Sequence, residues 1–184
     1  ITYQNSGFNM FYLKIIFLLL FSSTLFANII DINEETKTLD ILSKSEIYID
    51  KNKNLTFEDI KNQNIKFEKN NKNILSYGYS PTFDVWIKFT ISNNSDKTLN
   101  KIIEYNNPLS TNIEFFDPNK NYQIQNDGLL FDKLDKKTIN PIFNINIEAN
   151  QSTTYYLKAS SYITTLIIDL KLWDEDSFYK DRKS

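Results

Sequence analysis

From Ile29 to the end the pattern is mostly of strands, with apolar and polar residues alternating with a period of two, the period of strands with one buried and one wet face. The clearest run is residues 84–92, DVWIKFTIS. Val85, Ile87, Phe89 and Ile91 share one face of it, and Trp86 and Lys88 share the other. Asn93-Asn94-Ser95-Asp96 is turn chemistry, and residues 99–105 return as a strand. Shorter candidates are residues 46–50 (EIYID) and 65–68. Further strands are predicted at 112–116, 122–126, 142–147, 154–159 and 165–173, with turn-forming residues at 117–121 and 149–152. In 142–147, Phe143, Ile145 and Ile147 alternate with Asn144 and Asn146. In the last run, Leu166, Ile168, Leu170 and Leu172 line one face, while Asp169, Lys171 and Trp173 lie opposite.

One stretch breaks the period. Thr56-Phe57-Glu58-Asp59 places a capping hydroxyl three residues before an acid, which predicts a short helix over about residues 56–62. Only three glycines are present, so Asn, Asp, Ser and Pro must make the turns. Short strands with turn signals roughly every 8–12 residues predict an all-β fold, a β-sandwich. No internal repeat is visible, and after Trp173 the chain changes to charged residues with Phe178 and Tyr179, compatible with a linker or the start of a helix.

The N-terminal part is of another kind. Residues 10–27, MFYLKIIFLLLFSSTLFA, read as a secretory signal peptide: Lys14 near the start, an apolar run over 15–21, a Ser-Ser-Thr break, and Ala27 at the cleavage point. A spanning helix needs about 20 consecutive apolar residues, more than this run supplies. Leu25 is larger than cleavage sites usually carry, so an uncleaved anchor is the alternative. Residues 1–9 precede the start methionine and read as upstream read-through; residues 28–38 read as a linker to a domain over 39–173. The mature chain is thus expected in the periplasm.

Net charge is −2, which gives no electrostatic case for nucleic acid or an anionic membrane surface. Cysteine is absent, so an exported domain of this size relies on its core alone. Histidine is absent too. Together these absences remove the Ser-His-Asp and Cys-His nucleophile systems and the usual zinc sites, and Gly78 and Gly128 stand alone rather than in a phosphate loop. The chain is read as a non-enzyme without cofactor. Residues 50–56, DKNKNLT, imitate the opening of a calcium loop, but Leu55 replaces the sharp-turn glycine and Lys61 the bidentate Glu. A turn leading into the capped helix explains them better, and no metal is assigned.

Two tryptophans remain. Alternation puts Trp86 beside Lys88 and Trp173 beside Asp169 and Lys171, both indoles on the polar sides of their strands. Flat rings exposed on a β-sandwich stack against sugar CH faces, with neighbouring polar groups supplying hydrogen bonds, so these five residues are the candidate ligand site. The competing reading packs each ring under the Thr56 helix or a long loop. Separately, Glu148-Ala149-Asn150-Gln151-Ser152 fits the Asn-x-Ser acceptor pattern on a predicted turn, which makes Asn150 a candidate glycosylation position.

A run of short elements in fixed order carries a family resemblance. It comprises Ile47-Tyr48-Ile49-Asp50, Leu55-Thr56-Phe57-Glu58-Asp59-Ile60, Phe67, Tyr77-Gly78-Tyr79-Ser80, Val85-Trp86-Ile87-Lys88-Phe89 and Asn93. Pro108-Leu109, Ile113-Glu114-Phe115-Phe116, Gly128, Phe143, Tyr156-Leu157-Lys158-Ala159 and Leu172-Trp173 complete it. Over about residues 39–173 the chain resembles the type-two extracellular domain of bacterial seven-transmembrane receptors with diverse intracellular signalling modules (7TM-DISM). The resemblance implies a jelly-roll β-sandwich similar to carbohydrate-binding modules, working as a periplasmic sensor ahead of a membrane region. It also implies that residues 174–184 are a juxtamembrane connector and that the native protein is anchored in the inner membrane. The chain departs from the family in the basic stretch before Phe143, here reduced to Lys136-Lys137 and Asn140-Pro141. Two functions follow as expectations: the ligand-sensing input domain of a membrane signalling protein, taking a carbohydrate or related small molecule, or a free-standing periplasmic adhesion or protein-interaction module.

Overall fold

The computed structural model describes residues 28–131 and 138–182. The signal segment, the nine residues before it, and Lys136-Lys137 lie outside the described residues. In chain order the strands are β1 (Ile29–Ile32), β2 (Thr38–Asp40), β3 (Glu46–Asp50), β4 (Glu68–Lys69), β5 (Ile74–Tyr79), β6 (Asp84–Asn93), β7 (Leu99–Tyr105), β8 (Asn112–Phe116), β9 (Ile124–Asp127), β10 (Ile142–Ile147), β11 (Ser152–Ser160) and β12 (Thr165–Asp174). Helix α1 (Phe57–Asn62) follows β3, and α2 (Glu175–Asp181) follows β12.

These strands form two sheets packed as a sandwich. The larger has the order β4-β3-β6-β11-β8-β9 with β1 also on β6; the smaller has the order β10-β7-β12-β2 with β5 also on β12. Every pair is antiparallel except β1 with β6. The alternation predicted for β6 is realised: Val85, Ile87, Phe89 and Ile91 are all buried in the core between the sheets. They meet Leu166, Ile168, Leu170 and Leu172 of β12 and Phe143, Ile145 and Ile147 of β10 there. Inside the core, Phe115 stacks on Phe143 at 4.7 Å and on Tyr155 at 5.8 Å. Buried Tyr105 is not left wanting a partner: its hydroxyl donates to Ile167 O at 2.7 Å and accepts from Ser110 Oγ at 3.0 Å. Burial pushes its phenol well above the usual tyrosine range.

The helix after β3 forms for the reason its sequence suggests. Thr56 Oγ1 accepts from Asp59 N at 3.2 Å, and Asp59 Oδ2 accepts from Thr56 N at 2.9 Å, a reciprocal cap. The Thr56 backbone N–H, helped by the Thr56 hydroxyl, holds the Asp59 carboxyl below the usual carboxylate value. The calcium-like loop before it is an ordinary turn, with Asp50 Oδ1 accepting from Asn52 N at 3.2 Å and Oδ2 from Leu55 N at 2.9 Å.

Residues 28–38 are not a linker. They supply β1 and the start of β2, and Ile30 and Ile32 enter the core. Ile-Ile-Asp-Ile is too short to show a period by itself; it becomes a strand because β6 offers it a free edge over Thr90–Asn93. Strand β5 was likewise not foreseen. It carries Gly78 at φ 79° and pairs with β12 through a shifted register. The strand expected at 122–126 begins at Ile124, because Asn121 and Tyr122 take left-handed conformations in the turn after a 3-10 segment at Pro118–Lys120. The run at 65–68 reduces to the two-residue β4.

If β1 is part of the sandwich, Ile30→Ala and Ile32→Ala should each lower stability by about 2–5 kcal/mol. Denaturant unfolding of the two variants measures this. A loss below about 0.5 kcal/mol, the surface-substitution range, would make the segment a detachable leader after all.

Candidate functional site

Strand register builds the outer face of the large sheet row by row. One row runs Tyr48, Trp86, Lys158, Glu114 and Asn126 across β3, β6, β11, β8 and β9. The next runs Glu46, Lys88, Tyr156, Phe116 and Ile124. Aromatic and charged side chains are thus interleaved on one surface, and α1 lies across it. Phe57, the first residue of α1, stacks nearly parallel on Phe116 at 4.4 Å (9°) and meets Tyr122 at 4.9 Å and Tyr156 edge-on at 5.5 Å. Trp86 stacks against Phe116 at 5.6 Å. Phe57, Ile60, Trp86 and Phe116 form a second apolar cluster, separate from the core between the sheets.

Trp86 is therefore off the main core, as its position in β6 predicts, yet only 1% exposed. The expectation of an open indole platform is corrected here, because α1 supplies the apolar cover that the sheet alone lacks. The burial is incomplete in one respect. The indole Nε1–H has no hydrogen-bond partner among the described residues, and Trp86 lines a cleft of about 440 Å³ together with Lys158, Glu114, Tyr122, Phe57 and Lys53. Lys158 Nζ sits 5.4 Å from the Trp86 ring centre, a cation–π distance, and 3.3 Å from Asp84 Oδ2. The second oxygen of Asp84 is 3.8 Å from Lys53 Nζ. Buried Asp84 thus holds two ammonium groups at the cleft. At the rim, Lys61 Nζ lies 4.5 Å above the Tyr122 ring.

Trp173 is far from this place. It belongs to β12 of the other sheet and lies on that sheet's outer face, so the sandwich separates the two indoles. Its ring is half-buried against Phe178 of α2 at 6.0 Å, edge-on, and its Nε1 donates to Glu104 Oε2 at 2.7 Å. The other oxygen of Glu104 accepts from Asn140 Nδ2 at 2.6 Å and from Arg182, the single arginine of the chain. Arg182 also covers the Phe178 ring at 3.7 Å. One turn back, Lys101 Nζ donates to Thr36 O at 2.8 Å and approaches Asp174 Oδ2 at 3.5 Å, with its side chain almost fully buried. Asp174 caps α2 by accepting from Ser177 N and Ser177 Oγ. A buried carboxylate with three donors and a capped helix start therefore clasp α2 to the small sheet.

Of the five residues singled out in the sequence, Trp86 and Lys88 share one outer face and Trp173, Asp169 and Lys171 the other. Lys88 pairs with Glu46 at 3.0 Å and Asp169 accepts from Asn106 Nδ2 at 2.8 Å. The groups that join Trp86 instead are Phe57, Phe116, Tyr122, Glu114 and Lys158. Alternation in β8 and β11 does put Glu114, Phe116, Tyr156 and Lys158 on one side each; which strands lie adjacent is what the sequence did not offer. Asn150 sits exposed at the β10–β11 turn, with φ 55° and its N–H bonded to Ser95 O.

Two sheets packed face to face, with an aromatic and charged cleft on one outer face, make the chain a mostly-β sandwich domain. A family model described as 7TMR-DISM extracellular 2 matches residues 43–174, and the chain belongs to that family. The family is an extracellular sensor domain of membrane receptors, and not a catalytic one. A search of curated proteins finds no match to the chain.

Two outcomes are expected. Trp86→Ala should cost about 3–5 kcal/mol of stability, as for other buried aromatic residues, measured by denaturant unfolding. The second concerns α2. Burial alone would raise the Asp174 carboxyl, but the Ser177 bonds, Lys101 and Lys37 outweigh it and leave it below the ordinary value of 3.8. A depressed carboxylate contributes stability above that ordinary value and loses it as pH falls through the folded-state value. In a Trp86→Phe background, Trp173 emission should change on acidification below about pH 3.8, and Asp174→Asn should remove that step.

Proposed function

We propose that this chain is the periplasmic, ligand-sensing input domain of a membrane signalling protein, and that it takes a carbohydrate or related small molecule in the Trp86 cleft. The observation that carries the reading is the unpartnered indole N–H of a residue lining a cleft that also holds a carboxylate, two ammonium groups and aromatic rings. A buried donor without an acceptor costs about 1–3 kcal/mol, which a ligand oxygen would offset if a small shift of α1 let it reach the N–H. Glu114 and Lys158 offer an acceptor and donors of the kind that hydroxyl groups use, and the Tyr122 ring at the rim offers a face for sugar CH groups. Ligand sensing also fits the family's standing as an extracellular sensor. The connector reading of the C-terminal residues is supported by the way α2 continues directly from β12 while held to the small sheet by the Glu104 clasp. A ligand on one outer face and the connector on the other would communicate through the sandwich.

The test is a glycan and metabolite binding screen on the chain purified from the periplasm, followed by calorimetry. Tyr122→Ala and Glu114→Gln should each weaken the bound compound by about 1 kcal/mol or more, measured at a temperature where each variant is still folded by circular dichroism. A ligand whose affinity is indifferent to both substitutions does not occupy this cleft, and the assignment then fails. On the gene, a reading frame that continues past Ser184 into hydrophobic helices supports the receptor role; a free-standing module predicts a stop codon there.

A further inference from the structure

Beyond the Trp86 cleft, the side of the sandwich carries a second depression of about 470 Å³ between the β3–β4 edge of the large sheet and β5 of the small one. Lys51, Lys66, Lys69 and Lys72 line it, against a single acid, Glu68. All four lysines are exposed, and none has an ion pair among the described residues. Lys37, Lys53, Lys88, Lys97, Lys101 and Lys158 each have a carboxylate within 4.0 Å. Lys44, Lys61, Lys120, Lys171 and Lys180 also have no ion pair among the described residues but do not line the groove. What sets the groove apart is that four such lysines converge there on one acid. In a chain of net charge −2, an uncompensated cationic groove is a local departure.

The groove is built. Asn70, 9% exposed, donates from Nδ2 to Leu42 O and to Lys72 O, each at 2.7 Å, and accepts Lys72 N on Oδ1 at 3.1 Å. Its own N–H donates to Ser45 O at 3.0 Å. The backbone carrying Lys69 and Lys72 is thereby fixed to the sheet. Tyr48 and Leu75 give the floor apolar surface. A third depression lies between the groove and the Trp86 cleft, sharing Tyr48 and Lys51 with the groove and Asn54 and Leu55 with the cleft. A trough with aromatic and hydroxyl-binding groups at one end and lysines at the other suits a chain of linked units bearing negative charge.

We infer that the lysine groove binds the acidic units of an anionic oligosaccharide whose neighbouring unit sits in the Trp86 cleft. This rests on the cleft reading proposed above and adds the charge and length of the ligand. Four exposed ammonium groups attract carboxylate-bearing sugars with an affinity that falls as salt is added, and they discriminate against neutral sugars of the same length.

The experiment uses the chain purified from the periplasm and four probes: octagalacturonate, octamannuronate, cello-octaose as a neutral octasaccharide, and poly-glutamate. The acidic sugars should bind, more weakly in high salt. Replacing Lys51, Lys66, Lys69 and Lys72 together by Gln should lower their affinity about tenfold or more without moving the melting temperature, and the corresponding Lys→Arg variant should restore it. If acidic sugars bind but the Gln variant is unaffected, or if only cello-octaose binds, the groove proposal is overturned while the cleft reading stands. If the Gln variant loses binding and Tyr122→Ala and Glu114→Gln do not, the groove stands alone and the shared ligand fails. Equal binding of poly-glutamate points to acidic peptides, and binding of none of the probes removes the anionic-glycan class.

Discussion

Strand β6 has no free edge. Strand β11 pairs with it from Val85 to Ser92, so β1 and β3 must share its other side. With both edges tied, the strand cannot rotate or slip, and its pleat sorts its side chains absolutely. Val85, Ile87, Phe89 and Ile91 go to the core, each worth about 1.5–3 kcal/mol by burial, and a one-residue slip would exchange all four for Trp86, Lys88, Thr90 and Ser92. The register of β6 therefore also dictates that the indole of Trp86 emerges on the outer face. The cleft, its charged rim and the position of α1 depend on that.

The two outer faces meet the same difficulty in different ways. On the large sheet the surplus surface is aromatic, and it is covered by stacking: Phe57 on Phe116, Phe116 on Trp86. Stacked rings slide at little cost, and they leave a cleft where α1 begins, beside β8 and the start of β9. On the small sheet the surplus is a buried carboxylate, Glu104, which tolerates burial only because Asn140, Trp173 and Arg182 all donate to it. That contact is directional, and it holds α2 against the small sheet. Apolar stacking covers one outer face and a hydrogen-bonded carboxylate ties down the other.

The lysines of this molecule differ in what holds them. Lys101 is buried because Asp174 and the Thr36 carbonyl receive it, although burial still lowers its pKa. Lys158 and Lys53 are held by Asp84 at the cleft. Lysines so engaged are fixed in place, whereas those of the β3–β5 groove are pre-positioned by backbone alone and keep their ammonium groups solvated.

The sequence by itself determined which residues alternate, and hence the sheets' two faces: residues 46–50, 99–105, 112–116 and 142–147 are strands over those same bounds. It determined the Thr56 cap, because a capping box is a contact between residues three apart. It also put Trp86 and Trp173 off the core, since that follows from parity in a strand. Tertiary structure decided the rest. Ile29–Ile32 and Ile74–Tyr79 are strands only because β6 and β12 have edges to offer. Trp86 is covered rather than exposed because Phe116 stacks on it and α1 closes the same apolar cluster with Phe57 and Ile60. Glu114 and Lys158 stand side by side through the β8–β11 register, and Glu104 and Arg182 through the packing of α2. The physical reason is one of range: parity and capping are set within a few residues, whereas a neighbour across a sheet is chosen by the whole chain's search for a buried partner.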